Sequence, residues 1–141
     1  MSAIAAVLEE LLAETGASRV TLRRGVDDGY VFPVTEEALA PGVASLKGER
    51  TVDLRTQPVA VEVRRAGQIV QDDSRSAYED LAFQRMLDVY GGVAAQIVTA
   101  VEAGGEVAAI LSVHQLGAPR RWTSGEAEAC RRAATELSRL L

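Results

Sequence analysis

The chain has 141 residues, 48% hydrophobic and 25% charged, with one Trp, three Tyr and two Phe, which is the composition of one ordinary globular domain with no room for a second. Its 15 basic and 20 acidic residues leave a formal charge of −5, which opposes attraction to phosphate backbones or anionic lipid and argues against nucleic acid and membrane partners. Cys130 is the only cysteine, so neither an intramolecular disulfide nor a multi-cysteine metal site can form, a count that suits a reducing compartment. No stretch approaches the roughly 18 apolar residues of a membrane span. The opening segment carries Glu9, Glu10 and Glu14 where a secretory signal would be basic and then apolar. The expectation is a cytoplasmic protein, and a chain without asparagine has no N-glycosylation site.

In chain order, Ile4, Val7, Leu8, Leu11 and Leu12 recur at steps of three and four over residues 3–14, which predicts an amphipathic helix stopped by Gly16. Residues 18–24 alternate Val20 and Leu22 with Arg19, Thr21 and Arg23, the pattern of a half-exposed strand, with a turn at Asp28-Gly29 and a partner strand at 30–34. From Thr35 to Gln57 there is little periodicity, although Val52 and Leu54 suit a short strand. Thr56 as cap, Pro58 in the first turn and Gly67 as stop predict a helix, while Val59, Val61 and Val63 also have strand spacing, so both readings stay open. A short strand at 68–71 follows. Asp72-Asp73-Ser74 then looks like the cap region of a helix running to about Val89, and Ser76 with Glu79 offers a second start inside the same window.

The last third is the clearest. Ala94–Val101 and Glu106–Gln115 are β-rich runs joined by Gly104-Gly105, a hairpin signal. With a two-residue turn, Ala95 lies opposite His114, Ile97 opposite Ser112 and Thr99 opposite Ile110, so these six share one face, with Val98, Leu111 and Val113 on the other. Thr123 and Glu126 have capping-box spacing and open a final helix. Ala127, Cys130, Ala134, Leu137 and Leu141 form a seam along it that suits close helix packing. Helices at both ends framing a mostly antiparallel sheet give an α+β layer fold.

This order, with the segments 17–22, 67–73 and 105–115 followed by Arg120-Arg121-Trp122 and the cap at Thr123, resembles a GAF domain over essentially the whole chain. The resemblance implies a central antiparallel sheet with the terminal helices on one face and loops and short helices roofing a small-molecule pocket on the other. The stretch Val113-His114-Gln115 with Pro119, Arg120 and Trp122 is most similar to the bilin-binding GAF domains of bacterial photoreceptors. Three departures limit what carries over. Residues 74–93 contain neither Cys nor His, which excludes covalent bilin attachment there. Cys130 alone cannot form the exchanging disulfide of the free methionine sulfoxide reductases. The asparagine that begins the cyclic-nucleotide motif is missing from the whole chain.

His114 is the only histidine and is suited to proton transfer, heme ligation or a hydrogen bond to a ligand; the alternative is a satisfied histidine at a strand end. The expected ligand wall comprises His114, Ser112, Ile110, Ile97, Thr99 and Ala95, with Tyr78, Phe83 and Tyr90 packing beside it. Asp72, Asp73 and Arg75 are candidate polar contacts, with helix capping as the alternative for the two aspartates. Ser112 and His114 do not make a catalytic triad by themselves, because neighbours two apart on a strand point the same way without necessarily meeting. All basic residues except Lys47 are arginine, and Arg55, Arg75, Arg85 and Arg120 fall near the expected roof. Arg23-Arg24, Arg64-Arg65 and Arg131-Arg132 look like surface pairs, and Trp122 like a packing anchor. No metal site and no catalytic residue is expected, and the sequence names no cofactor.

The resulting expectation is a sensory or regulatory domain that binds a small molecule. It would act as a homodimer through residues 3–14 and 123–141 and address a separate effector protein. The alternatives are a scaffold module with a vestigial pocket, or a heme-binding or enzymatic domain centred on His114.

Overall fold

The computed structural model describes residues 1–26 and 29–141, so the turn expected at Asp28-Gly29 lies partly outside the described residues. Helix α1 (Ala3–Thr15) is capped by the Ser2 side chain and ends at Gly16, whose φ of 61° needs no Cβ to be accommodated. Strand β1 (Arg19–Arg24) follows, then β2 (Val34–Leu39), α2 (Pro58–Ala66), β3 (Gln68–Gln71), α3 (Leu81–Val89), β4 (Val93–Ala103), β5 (Glu106–Leu116) and α4 (Ser124–Leu140). The strands form one antiparallel sheet in the order β2-β1-β5-β4-β3. The long C-terminal hairpin therefore sits at its centre.

One face packs on the terminal helices, where Val20, Leu22, Ala95, Ile97, Leu111 and Val113 meet Leu8, Leu11, Cys130 and Leu137. The other is covered by α2, α3 and the loops, where Phe32, Val52, Val59, Val63, Phe83 and Leu87 lie over Val98 and Ile110. The α4 seam of Ala127, Cys130, Ala134 and Leu137 is buried inside its own chain, and Leu141 lies beyond the helix end. Thr123 and Glu126 form both hydrogen bonds of the expected capping box.

Several local expectations are corrected. The partner of β1 is Val34–Leu39, not 30–34. Pro33 has no N–H for the ladder, whereas Glu36 and Glu37 are tolerated on an edge strand, Glu36 pairing with Arg24 and Glu37 accepting from the Leu46 N–H. Residues 30–34 instead make isolated bridges, with Val31 opposite Val26 and Asp53, and Val52 and Leu54 join them through backbone hydrogen bonds without forming a strand. The valines of 59–63 are helical, capped by Gln57 rather than Thr56, with the Gln57 side chain accepting from the Ala60 N–H at 2.7 Å. The helix expected from residue 72 breaks into a single 3-10 turn at Ser74–Ser76 and then α3, whose cap is Asp80. The Ser76–Glu79 box does not form, and Ser76 donates to Asp73 instead.

The hairpin register carries the largest correction. Gly104 and Gly105 do form a two-residue turn, with Ala103 opposite Glu106 and Glu102 opposite Val107. A bulge then skips Ala108, so Val101 faces Ala109 and the pairs from there to Ala95 with Gln115 move by one, until a second irregularity sets Val93 opposite Leu116. His114 faces Gln96, Ser112 faces Val98 and Ile110 faces Ala100. A slip of one residue transfers a whole set of side chains to the other face. Ala95, Ile97 and Thr99 therefore lie on the terminal-helix side, Ala95 and Ile97 within its core, and Val98 on the roofed side.

Candidate functional site

The roofed face is built from cross-strand rows. Arg19, His114 and Gln96 lie side by side, then Thr21, Ser112 and Val98, then Arg23, Ile110 and Ala100. Because the roof covers this face of the sheet, the alternate polar residues of β1 are not half-exposed: Arg19, Thr21 and Arg23 are all buried. Arg23 is thus no surface residue, although its neighbour Arg24 is. Above the rows, Val52, Gln57, Val59, Ala60, Met86 and Tyr90 close a cavity with about 30 Å³ of free space, floored by Arg23, Gln96, Val98, Ile110, Ser112 and His114. That is room for roughly one water molecule.

The polar groups form a connected network. Arg19 donates from Nε to His114 Nδ1 at 3.1 Å, from Nη1 to the Ala44 carbonyl at 3.1 Å and from Nη2 to the Tyr90 carbonyl. Arg23 donates to the Phe32 carbonyl at 3.0 Å, to the Tyr90 hydroxyl at 2.9 Å and to Glu49 Oε2 at 2.5 Å. The Tyr90 hydroxyl donates to the same carboxylate at 2.7 Å, and its ring stacks beside His114 with centroids 6.2 Å apart. Gln96 donates to Gln71 Oε1 at 3.0 Å.

Burial dominates the titration of these groups. It lowers the Arg19 guanidinium to about 10, with Glu37 and Tyr90 opposing and Arg23 assisting. Burial, then the charges of Arg19 and Arg23, hold the His114 imidazolium well below its ordinary 6.5, so the ring is neutral. The bond from Arg19 makes Nδ1 the acceptor and leaves the proton on Nε2. Burial pushes the Tyr90 phenol up to about 12. For Glu49, burial raises the pKa, but the bond from Thr51, the charge of Arg23 and the Tyr90 hydroxyl outweigh it, and the carboxyl lies below its ordinary 4.5.

This protonation state fits a ligand-contacting histidine better than a heme ligand. A metal-bound imidazole usually donates its second N–H to an acceptor, whereas here the second nitrogen already receives a proton donor and the free position bears the hydrogen. A hydrolytic triad fits no better, since Nδ1 is held by an arginine and not by an acid. Among the described residues, no three or more His, Cys, Asp or Glu side chains gather into a metal-binding group.

Of the expected site residues, His114, Ser112, Ile110 and Tyr90 come together at the cavity. Phe83 is buried in the roof core, and Tyr78 packs edge-on against it at 4.9 Å while donating to Glu62. Ala95 and Ile97 are on the far face, and Thr99 lines a separate open groove of about 520 Å³ between β3, β4 and α4. Asp72 latches the β5–α4 loop, accepting from the Trp122 N–H at 3.1 Å, and Asp73 accepts from Ser76. Arg75 is exposed and bonds Gln84 and Asp88. Arg55 pairs with Asp53, Arg85 is exposed, and Arg120 lies over the Trp122 ring at 4.3 Å, so none of these lines the cavity. Trp122 is the expected anchor, its Nε1 donating to the Gln71 carbonyl at 3.1 Å. The sequence reading missed Arg19, Arg23 and Gln96. The available signal was the alternation of Arg, Thr and Arg in a strand that the central hairpin would place inside the sheet.

A five-stranded antiparallel sheet with terminal helices on one side and a roofed polar cavity on the other defines an α+β layer domain. The chain matches the model of the GAF domain over residues 2–141 and belongs to that family. Among solved structures it is similar to the cyanobacteriochrome receptor PixJ, at 22% identity and a TM-score of 0.79 over 97% of this chain and 93% of that one. It is also similar to the PixJ GAF domain of Thermosynechococcus elongatus in its blue-light-absorbing form, at 24% identity and 0.76 over 97% and 86%. A third is a far-red-absorbing dark state with bound biliverdin, at 22% identity and 0.79 over 93% and 82%. No curated protein matches the chain in sequence. No helix among the described residues is long and apolar enough to cross a membrane.

Proposed function

We propose that this GAF domain is a sensory or regulatory module that binds a small molecule between the sheet and the α2–α3 roof. The observation that carries the reading is the buried, electropositive row of Arg19, Arg23 and neutral His114 beside Ser112, Gln96 and the Tyr90 hydroxyl, set against an apolar roof. A few convergent polar groups in an apolar recess are the usual anatomy of a ligand site. Small-molecule sites usually offer about 300–1,000 Å³, so an occupant must displace the roof, and that displacement is the signal. One structural neighbour has bound biliverdin. Here the only thiol, Cys130, is buried in the core on the opposite face of the sheet, so a tetrapyrrole would have to bind without a covalent link at the site.

Action as a cytoplasmic homodimer upon a separate effector is the second part of the proposal. The α4 seam is occupied within the chain, so a dimer through α1 and α4 must use their outward faces. A thermal-shift screen against carboxylates, nucleotides, purines and tetrapyrroles tests the site. A ligand at a hundred times its Kd adds about 2.7 kcal/mol of stability, and Ser112→Val is expected to weaken that gain. The small free volume favours the alternative of a scaffold with a vestigial pocket, and stabilisation by none of these classes would establish it.

A further inference from the structure

The charge of Arg23, in the cavity floor, is balanced by a residue that does not line the cavity. Glu49, in the segment between β2 and α2, reaches the rim and places Oε2 on Arg23 at 2.5 Å and on the Tyr90 hydroxyl at 2.7 Å. Its other oxygen accepts from the Thr51 N–H at 2.7 Å and from the Thr51 hydroxyl. The Thr51 hydroxyl also lies 2.9 Å from the Tyr90 hydroxyl. One carboxylate thus joins two residues of the ligand recess to the chain that leads directly into Val52 of the roof. Arg19 differs: its guanidinium bonds only neutral acceptors, the imidazole and two carbonyls.

We infer that Glu49 is a built-in competitor for the ligand's acidic group: a monocarboxylate with a short apolar body takes its place on Arg23 and Tyr90, and the departing Glu49 side chain releases Thr51 and Val52 to open the recess. This rests on the ligand-binding reading above and names its ligand class. The carboxylate follows from what Arg23 and Tyr90 already hold, two donors converging on one carboxylate oxygen. A single negative charge follows from balance at Arg23, since exchange of one carboxylate for another leaves that buried guanidinium neutralised, and Arg19, already filled by the imidazole and two carbonyls, does not line the recess. The apolar body follows from Val52, Val59, Met86, Val98 and Ile110 around the recess. Glu49 can leave because its carboxylate is at the protein edge, 14% exposed, while Arg23 at 4% cannot follow it into water.

The test compares the intact protein with Glu49→Gln, a change that keeps shape and removes the competing charge. Calorimetric titrations with butyrate and benzoate, and with butyramide and benzamide as uncharged controls, are read beside hydrogen exchange at the Thr51 amide. The acids are expected to bind Glu49→Gln at least tenfold more tightly than the intact protein, the amides to bind neither, and the Thr51 amide to exchange faster in the acid-bound intact protein. Equal affinity of the acids for both proteins, or amides binding as well as acids, overturns the competition. If a ligand found by the thermal-shift screen binds with affinity unaltered by Glu49→Gln, the competition fails and the binding domain stands. If nothing binds either protein, both fall. Thr51→Val supplies a second variant: it removes the hydroxyl that holds the other oxygen of Glu49 while leaving in place the two donors the ligand would use, and is expected to tighten the acids to a smaller degree; acid affinity unchanged by both variants also overturns the competition.

Discussion

The neutral, buried imidazole of His114 makes a quantitative statement about acid stability. Unfolded, the ring titrates near 6.5; folded, burial and the two arginines hold it well below that. A group whose folded pKa is depressed contributes stability that is fully present above the unfolded pKa and is lost as the pH falls below it, because unfolding then takes up a proton. Where the ring is charged unfolded and neutral folded, the stability falls with pH, and lowering the pH from 7.5 to 5.5 removes on the order of 1 kcal/mol. For a chain of this length that is a fall of a few degrees, about 3–5 °C, in Tm. As His114 is the only histidine, the window is nearly its own; Glu49, whose carboxyl is also depressed, loses its contribution only below its ordinary 4.5. His114→Asn keeps an acceptor for Arg19 while removing the titration. Urea unfolding at pH 5.5, 6.5 and 7.5 should show the variant less stable than the parent at 7.5 by roughly 1–2 kcal/mol from poorer hydrogen bonding and packing, with the gap closing by on the order of 1 kcal/mol at 5.5. A gap independent of pH, or one that widens on acidification, would refute a buried neutral ring.

Three further outcomes follow from the packing. Thr123→Ala removes the N-cap of α4, whose hydroxyl accepts from the Glu126 N–H at 3.1 Å, and should cost about 1 kcal/mol in urea unfolding. Leu137→Ala opens the core between α4 and the sheet, where Leu137 is fully buried, and should cost about 2–5 kcal/mol, read by the same unfolding curves. The Cys130 thiol is buried and pushed up to about 12, chiefly by that burial, with Glu126 and Glu14 adding to it; a thiol reagent at pH 8 should label it only in denaturant, and rapid native labelling would contradict the α4 placement.

Where local chemistry decides structure, the residues announced it. The step of α1, the Gly16 stop, the Gly104-Gly105 turn and the Thr123–Glu126 cap all appear where spacing placed them. Where a global arrangement decides, they did not. The bulge at Ala108 lies among small residues with no glycine to mark it, yet it determines which half of β4 faces the recess, exchanging Ala95, Ile97 and Thr99 for Gln96, Val98 and Ala100. Arg19 and Arg23 read as solvent-facing because alternation describes one strand and not what packs over it; with the terminal helices on one side of the sheet and the roof on the other, both faces of β1 are covered. Asp72 and Asp73 have the composition of a helix cap, but Asp72 is drawn to Trp122 across the fold, and α3 starts at Asp80 instead. His114, Ser112, Ile110 and Tyr90 were legible as neighbours of the recess; their charged partners came only with the strand order.

The recess between the sheet and the α2–α3 roof is addressed most directly by amide and side-chain chemical-shift mapping of the isotope-labelled protein with a ligand that stabilises it. The expected changes centre on Gln57, Ala60, Met86, Gln96, Ser112 and the His114 ring, the groups that enclose the space. Changes confined to the open groove of Gln68, Thr99, Arg131 and Arg139 beside α4, with the His114 ring unmoved, would contradict it.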